Sequence, residues 1–185
     1  MLQLIDVSES IPARVELDDY LPFIVRWGEP NENLMAPPNL YWGISTEYSL
    51  LEIGIEPELK AIRVVKVVLP GRFIIYDSQV HIDAKTPARS GIPICNTTDW
   101  LSNPNFTNRF FTEDGTFELH VGKNHVCVIF STHQIVSQIV SEKVRFGLDQ
   151  NNYLCMLEVG EFSDEEMVRL IDTLKHHQAS AGLRI

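Results

Sequence analysis

The chain has 185 residues, of which 44% are hydrophobic and 22% are charged, a balance typical of one soluble domain with a buried core. No apolar run approaches the ~20 residues that a transmembrane helix needs, and the acidic N-terminal residues do not resemble a secretory signal. The three cysteines are widely spaced and indicate reduced thiols. We therefore expect a single cytoplasmic domain that spans residues 1–185.

The net charge of −10 is concentrated in the first third of the chain. Residues 1–58 carry eleven acidic and two basic side chains, and therefore −9 of that charge. Such a surface repels nucleic acid, which is bound through Lys and Arg, and attracts a basic partner. The other interpretation that the sequence leaves open is an acidic surface that only maintains solubility.

Residues 1–49 form an acidic N-terminal part with few regular patterns. Residues 13–17 and 21–27 predict two short strands, and Pro22 confines the second strand to a sheet edge or a strand start because it cannot donate a backbone hydrogen bond. Residues 29–39 are a loop by composition.

Residues 50–69 predict the hairpin at the centre of the sheet. Apolar residues alternate with others before a turn that contains proline, and a β-branched run follows the turn. Pairing Ile55 with Ile62 and Ile53 with Val64 would place apolar side chains on one face of the hairpin.

Residues 83–114 lack periodicity and predict a long, ordered loop. Loops of this length are uncommon in compact domains and are often functional, while large apolar side chains such as Trp100 and Phe106 argue against disorder. The sequence leaves open whether the loop only crosses the surface or faces a partner.

Two more hairpins and a helix complete the predicted fold. Residues 143–148 and 153–159 predict one hairpin, and the pairs predicted across the other hairpin are Val121–Val126, Leu119–Val128 and Phe117–Phe130. Ser163 and Glu166 form a capping box that begins a helix over residues 163–178. The predicted class is α+β, with an antiparallel sheet built of several hairpins and the C-terminal helix packed on it.

The sequence contains no established catalytic motif, and three weaker groups remain. His120 and Cys127 would lie opposite each other on the polar face of a hairpin. There they could give a thiolate at Cys127, or they could provide two metal ligands. His81 and Asp83, with Asp77 upstream, would share one face of a strand. His176 and His177 are explained by the dipole at the end of the helix.

None of these groups includes an orienting residue or a further ligand at a recognisable spacing. We therefore expect no catalytic residue, no metal and no cofactor. A small metal- or thiol-dependent enzyme that uses one of the two pairs stays open as an alternative. A second alternative is a homo-oligomeric structural protein whose sheet edge is the interface.

Four segments from residue 50 onward follow one another in a notable order: LLEIGIEPELKAIRVVKVVLPG, GIPICNTTDW, TFELHVGKNHVCVIFS and KVRFGLDQNNYLCMLEVGEFSDEEMVRLIDTL. This order resembles bacterial immunity proteins of polymorphic-toxin and contact-dependent growth-inhibition systems. The resemblance implies a cytoplasmic inhibitor that binds the toxin domain of a sibling effector without catalysis. It assigns no individual functional residues.

The charge distribution suggests where such a partner would bind. A toxin that cleaves nucleic acid needs a basic cleft, which the acidic first third would approach or occupy, with aromatic residues of the long loop as anchors. Nucleic acid and membranes are not expected partners. The predicted contacts with the toxin domain are Asp18, Asp19, Glu29, Glu32, Glu47, Trp100 and Phe106.

Overall fold

A computed structural model of the chain describes residues 1–18, 20–28, 39–71, 73–75 and 81–180. Its helix, α1, spans Asp164–Ser180. The strands in the described ranges are β1 (Leu4–Ser8), β2 (Ala13–Glu16), β3 (Phe23–Trp27), β4 (Leu40–Ser45), β5 (Ser49–Ile55), β6 (Ile62–Pro70), β7 (Phe73–Ile75), β8 (Ala88–Ser90), β9 (Ile92–Cys95), β10 (Phe106–Thr107), β11 (Phe110–Asp114), β12 (Glu118–Val121), β13 (Val126–Ile129), β14 (Ser137–Ser141), β15 (Val144–Leu148) and β16 (Leu154–Val159).

The strands form two large sheets and one small one. The first sheet has the order β10-β11-β4-β5-β6-β3-β2, the second has the order β7-β12-β13-β16-β15-β14-β8, and β1 pairs with β9. At the β2 edge of the first sheet, the backbone N–H of Ala13 donates to the carboxylate of Glu142, at 2.8 Å. This edge strand is only four residues long.

The two large sheets share one hydrophobic core. The ring of Trp27 in the first sheet lies 5.9 Å from that of Phe146 in the second. The indole N–H of Trp27 donates to the hydroxyl of Ser141 at 2.8 Å, and all three side chains are buried. Burial of large aromatic rings is a major source of stability in such cores.

The α+β class with a C-terminal helix is confirmed, but the prediction of a purely antiparallel sheet of hairpins is wrong. Parallel pairs join β11 to β4, β12 to β7 and β14 to β8. The members of each pair are far apart in sequence. Because side-chain alternation within one strand does not depend on the direction of its neighbour, the sequence pattern does not reveal these pairs.

The central hairpin is formed by β5 and β6, and one of its two predicted pairs differs. Ile55 pairs with Ile62 as predicted, whereas Ile53 pairs with Val65 rather than Val64. The shift comes from an irregularity beside Gly54, where an added Cβ would lie 2.5 Å from a methyl group of Val64. Glycine permits this close approach, as is typical of bulges.

The other two predicted hairpins are present. Strand β12 pairs with β13 through Val121–Val126 and Leu119–Val128, and β15 pairs with β16. Phe117 precedes β12 and is therefore outside the ladder in which it was predicted to pair with Phe130. In the N-terminal part, β2 and β3 match the two predicted strands, whereas β1 was not predicted.

The segment over residues 83–114 is not the long loop that was predicted. It contains β8, β9, β10 and β11, together with a 3₁₀ turn over Trp100–Ser102. These strands have only two to five residues, so each is too short to show a clear period. All except β10 pair with strands that are distant in the sequence.

The capping box at the start of α1 is confirmed. The backbone N–H of Ser163 donates to the Glu166 carboxylate at 2.8 Å, and the backbone N–H of Glu166 donates to the Ser163 hydroxyl at 3.2 Å. Met167, Leu170 and Leu174 are buried in the shared core, and α1 contacts β6. The helix ends at Ser180, two residues beyond the predicted end.

The capping box makes the stability of α1 dependent on pH. The hydrogen bonds of Glu166 with Ser163 lower the pKa of this carboxyl below its ordinary value of 4.5. The pKa of Glu166 is therefore lower in the folded protein than in the unfolded chain. The ionised carboxylate stabilises the fold at pH values above the unfolded-state pKa, and this stabilisation is lost as pH falls through the folded-state pKa. We expect Glu166→Gln, which keeps an acceptor but does not titrate, to reduce the loss of thermal stability below pH 4.5.

Circular dichroism melts as a function of pH would measure this effect. Glu165→Gln is the matched control, since Glu165 lies in the same first turn of the helix but outside the capping box. Equal pH dependence in the two variants would contradict the prediction.

Gly91 allows the chain to pass from the second sheet to the β1–β9 pair. It has a φ of +140°, its N–H donates to the carbonyl of Val140 at 3.0 Å, and an added Cβ would collide with the carbonyl oxygen of Ser8.

We expect Gly91→Ala to lower the free energy of unfolding by about 1–3 kcal/mol, measured by urea denaturation. Gly160→Ala, whose Cβ would meet nothing closer than 3.9 Å, should cause no comparable loss, and equal losses would refute this explanation.

Candidate interaction surface

Two turns lie at the same end of the first large sheet. Residues 17–22 join β2 to β3, and residues 46–48 join β4 to β5. Strand β6, which lies between these two hairpins, ends at Pro70 opposite Ser49, and Phe23 at the start of β3 pairs with Val67 of β6. Three strand spacings separate the midpoints of the two hairpins, so the turns lie about 14 Å apart.

This end of the sheet exposes both apolar and acidic side chains. Tyr20 is 83% exposed, Tyr48 is 44% exposed and Leu69 is 38% exposed. The acidic side chains at this end are exposed as well, and Asp114 belongs to it because β11 ends beside Ser45. We call this set the acidic end surface, and its members are Asp18, Tyr20, Glu47, Tyr48, Leu69 and Asp114.

Local hydrogen bonds hold the two tyrosines in place. The carboxylate of Asp18 accepts the backbone N–H of Tyr20 at 2.7 Å, as in an Asx turn. In the other turn, the hydroxyl of Thr46 accepts the backbone N–H of Tyr48 at 3.3 Å. A hydrogen bond to Glu47, together with its negative charge, raises the pKa of the Tyr48 phenol.

The structure therefore places two of the predicted contacts, Asp18 and Glu47, on one surface. Asp19, Glu29 and Glu32 lie outside the described residues, and their role stays a prediction. The tyrosines were not predicted as contacts, although the exposed position of a turn residue was a signal for Tyr20.

The predicted aromatic contacts lie elsewhere. Trp100 is 7% exposed and stacks on Phe111, with ring centroids 5.2 Å apart. Phe106 is partly buried beside the same core, in the edge strand β10, and its ring centroid lies 6.3 Å from that of Trp100. The two residues thus belong to an aromatic cluster at the β10 edge, and this placement favours the interpretation that Trp100 pins its segment to the body.

His120 and Cys127 lie opposite each other as predicted, but the face that they share is buried rather than exposed. On the neighbouring strands, Glu158 pairs with Cys127 and Arg145 pairs with Glu158, so the four residues lie in one row across the sheet. Burial, and then the negative charge of Glu158, raises the pKa of the Cys127 thiol to about 12. A thiol with this pKa is protonated at neutral pH, which is unlike a nucleophilic cysteine.

A segment over residues 81–87 covers this face of the second sheet. The backbone N–H of Ile82 donates to the buried carboxylate of Glu158 at 2.7 Å, and Arg145 lies 3.8 Å from that carboxylate. The side-chain amide of Gln138 donates to the carbonyl of Thr86 at 2.8 Å. The contacts with Ile82 and Arg145 satisfy the buried carboxylate, as burial of a charge requires, and the Gln138 bond holds the segment on the sheet.

His81 and Asp83 do not share a strand face, because residues 81–83 are not in a strand. His81 lines a cavity of about 260 Å³ together with Glu158, whereas the Asp83 carboxylate accepts the backbone N–H of Lys85 at 2.8 Å. Asp77 lies outside the described residues. His177 lies in the last turn of α1, as its predicted role at the helix end requires.

A further cluster, which no sequence motif indicated, is formed by His133, Asp149 and Cys155. Their potential ligand atoms all lie within 4.8 Å of one another. The turn over residues 149–152 was predicted, but neither His133 nor Cys155 stands at a spacing from it that forms a known motif. The cluster becomes visible only when the strands are assembled.

The burial of Trp100 leads to a prediction about stability. We expect Trp100→Ala to lower the free energy of unfolding by about 3–5 kcal/mol, as for other buried aromatic residues, measured by chemical denaturation. Tyr20→Ala removes a ring that is mostly exposed and should change stability by about 0.5 kcal/mol or less. A stable Trp100→Ala variant would show that this ring is not a structural anchor.

Comparisons with known proteins do not extend these observations. The chain matches no protein-family model, and its sequence matches no curated protein. Within the described residues, no helix is long and apolar enough to cross a membrane. The exposed side chains and their arrangement are therefore the basis for a functional proposal.

Proposed function

We propose that this chain is a bacterial immunity protein that binds and neutralises a cognate toxin domain in the cytoplasm by direct contact, without catalysis. The observation that carries the proposal is the acidic end surface, where exposed tyrosines and carboxylates from two separate turns lie at the same end of the first large sheet. The resemblance of the sequence to immunity proteins of contact-dependent growth-inhibition systems supports the same function.

The charge of this surface favours a basic partner. Asp18, Glu47 and Asp114 are exposed at one end of the sheet, and most of the net charge of the chain lies in residues 1–58. A toxin domain that cleaves nucleic acid presents Lys and Arg to its substrate. Opposite charges would steer the two proteins together. The bound chain would then cover the basic surface of the toxin that the nucleic acid needs.

The exposed tyrosine side chains would add binding energy through burial of their rings, which charge attraction alone does not supply. Tyrosine is enriched among the residues that dominate binding energy, because it buries a large ring and keeps a hydrogen-bonding group. The backbone N–H groups of Tyr20 and Tyr48 are hydrogen-bonded in their turns, so little backbone conformational entropy is lost when these residues bind. Leu69 lies at the end of β6, between the two hairpins, and adds apolar area.

Co-expression with the protein encoded directly upstream, as the candidate toxin, would test the function. We expect the chain to restore growth and to co-purify with that protein. Growth inhibition that persists although both proteins are well expressed would refute the proposed function. A chain that associates only with itself, measured by light scattering, would favour the homo-oligomer instead.

Binding kinetics would then test the surface. We expect the Asp18→Asn and Glu47→Gln pair to lower the association rate about tenfold at low salt, and this difference should shrink as salt screens the charges. Tyr20→Ala should instead accelerate dissociation by roughly 30-fold, since loss of a dominant contact costs about 2 kcal/mol.

Residues at the opposite end of the same sheet provide the controls. Glu58 and Leu59 are exposed in the turn between β5 and β6, so Glu58→Gln and Leu59→Ala remove similar groups from a different surface. Kinetics that change equally in the control and test variants would assign binding to another part of the molecule.

A further inference from the structure

Three side chains with different donor atoms converge where the second sheet meets its connecting segments. His133 lies between β13 and β14, Asp149 lies in the turn after β15, and Cys155 lies in β16. Their potential ligand atoms are within 4.8 Å of one another. The set combines an imidazole nitrogen, a carboxylate oxygen and a thiol sulfur, which are the donors that zinc accepts in proteins.

The turn that follows β15 fixes the orientation of the Asp149 carboxylate. Its Oδ1 atom accepts the backbone N–H groups of Asn151 and Tyr153 at 2.8 and 2.9 Å. Its Oδ2 atom lies 3.1 Å from Nδ1 of His133. The turn is therefore held by one oxygen atom, and the other oxygen contacts His133.

The spacing of the donor atoms is close to that of a zinc site. Around a tetrahedral Zn²⁺ with bonds of about 2.0–2.3 Å, ligand atoms lie roughly 3.3–3.6 Å apart. The distance of 3.1 Å between Asp149 and His133 is near this range. One potential ligand atom from each of the three residues lies within 4.8 Å of the other two, so the sulfur reaches this range with a shift of about 1.3 Å or less, by the same bond lengths.

The cluster is also open to solvent on one side. Asp149 and Cys155 are buried, whereas the side chain of His133 is 61% exposed. A cavity of about 320 Å³ adjoins the cluster and is lined by His133, Asp149 and four neighbouring residues. An ion can thus enter from this side, where the exposed imidazole can turn to meet it.

A purely structural role for these residues explains only part of this geometry. The thiol of Cys155 donates to the carbonyl of Tyr153 at 3.5 Å, and Nδ1 of His133 lies 3.1 Å from Oδ2 of Asp149. The hydrogen bonds that Oδ1 of Asp149 makes with the turn require neither of these two side chains. Metal binding accounts for all three donors together.

We propose that His133, Asp149 and Cys155 bind a divalent transition-metal ion, of which Zn²⁺ fits best, with its fourth coordination position open to the adjacent cavity. On binding, the ion takes the place of the Cys155 thiol proton, which leaves to solvent, and bonds to the resulting thiolate. This site does not depend on the toxin-binding function proposed above.

Titration of reduced, metal-free protein with Co²⁺, as a spectroscopic substitute for Zn²⁺, would test the site. We expect one Co²⁺ to bind per chain and to produce a thiolate-to-metal charge-transfer absorption band that excess Zn²⁺ removes. Zn²⁺ should also raise the melting temperature, since it binds the folded state. Absence of this band in the wild-type protein would overturn the proposal.

Variants distinguish this site from other thiols and histidines. Cys155→Ala should abolish the charge-transfer band, whereas Cys127→Ala, at another buried cysteine, should retain it. His133→Ala should weaken Co²⁺ binding by at least about tenfold, and its exposed position keeps the fold intact if Cys155→Ala proves unstable. His176→Ala is the control for an exposed histidine. A band that persists in Cys155→Ala, or equal affinity in the two histidine variants, would refute the proposal.

Discussion

The second large sheet is buried on both faces, and much of the structure follows from this constraint. Leu119 and Leu157 face the core that it shares with the first sheet, while the opposite face carries Cys127 and Glu158. A buried carboxylate is stable only when hydrogen bonds or opposite charges replace its lost water. The segment over residues 81–87 provides such a bond to Glu158 and covers the face at the same time.

The enclosure of the second sheet leaves the ends of the first sheet as ordered, exposed surfaces. Strand pairing determines where the turns of the first sheet lie, so its exposed side chains occupy defined positions. Turns on a rigid sheet are better placed for recognition than flexible tails, because less ordering accompanies binding. The acidic end surface combines such rigidity with a charge that distinguishes basic proteins from nucleic acids.

The sequence predicted the parts of the fold that depend on neighbouring residues. Hairpins with short turns and the capping box of Ser163 follow from local rules, and they are present. The parallel pairs and the bulge at Gly54 depend on contacts between distant segments, which a local pattern does not contain. The same holds for the surfaces: Asp18 and Glu47 were candidates because of their charge, but only the strand order shows that they lie at the same end of one sheet.

The hydrogen bond from Ala13 to Glu142 has a consequence for how copies of the chain behave when crowded. An open sheet edge has unpaired backbone N–H and C=O groups, with which a strand of another molecule can pair. Such pairing commonly initiates fibril formation. At β2 a carboxylate already occupies one such group, and an incoming strand would have to displace a charged side chain. The short β2 edge therefore resists templated polymerisation and favours dispersed molecules at high protein concentration.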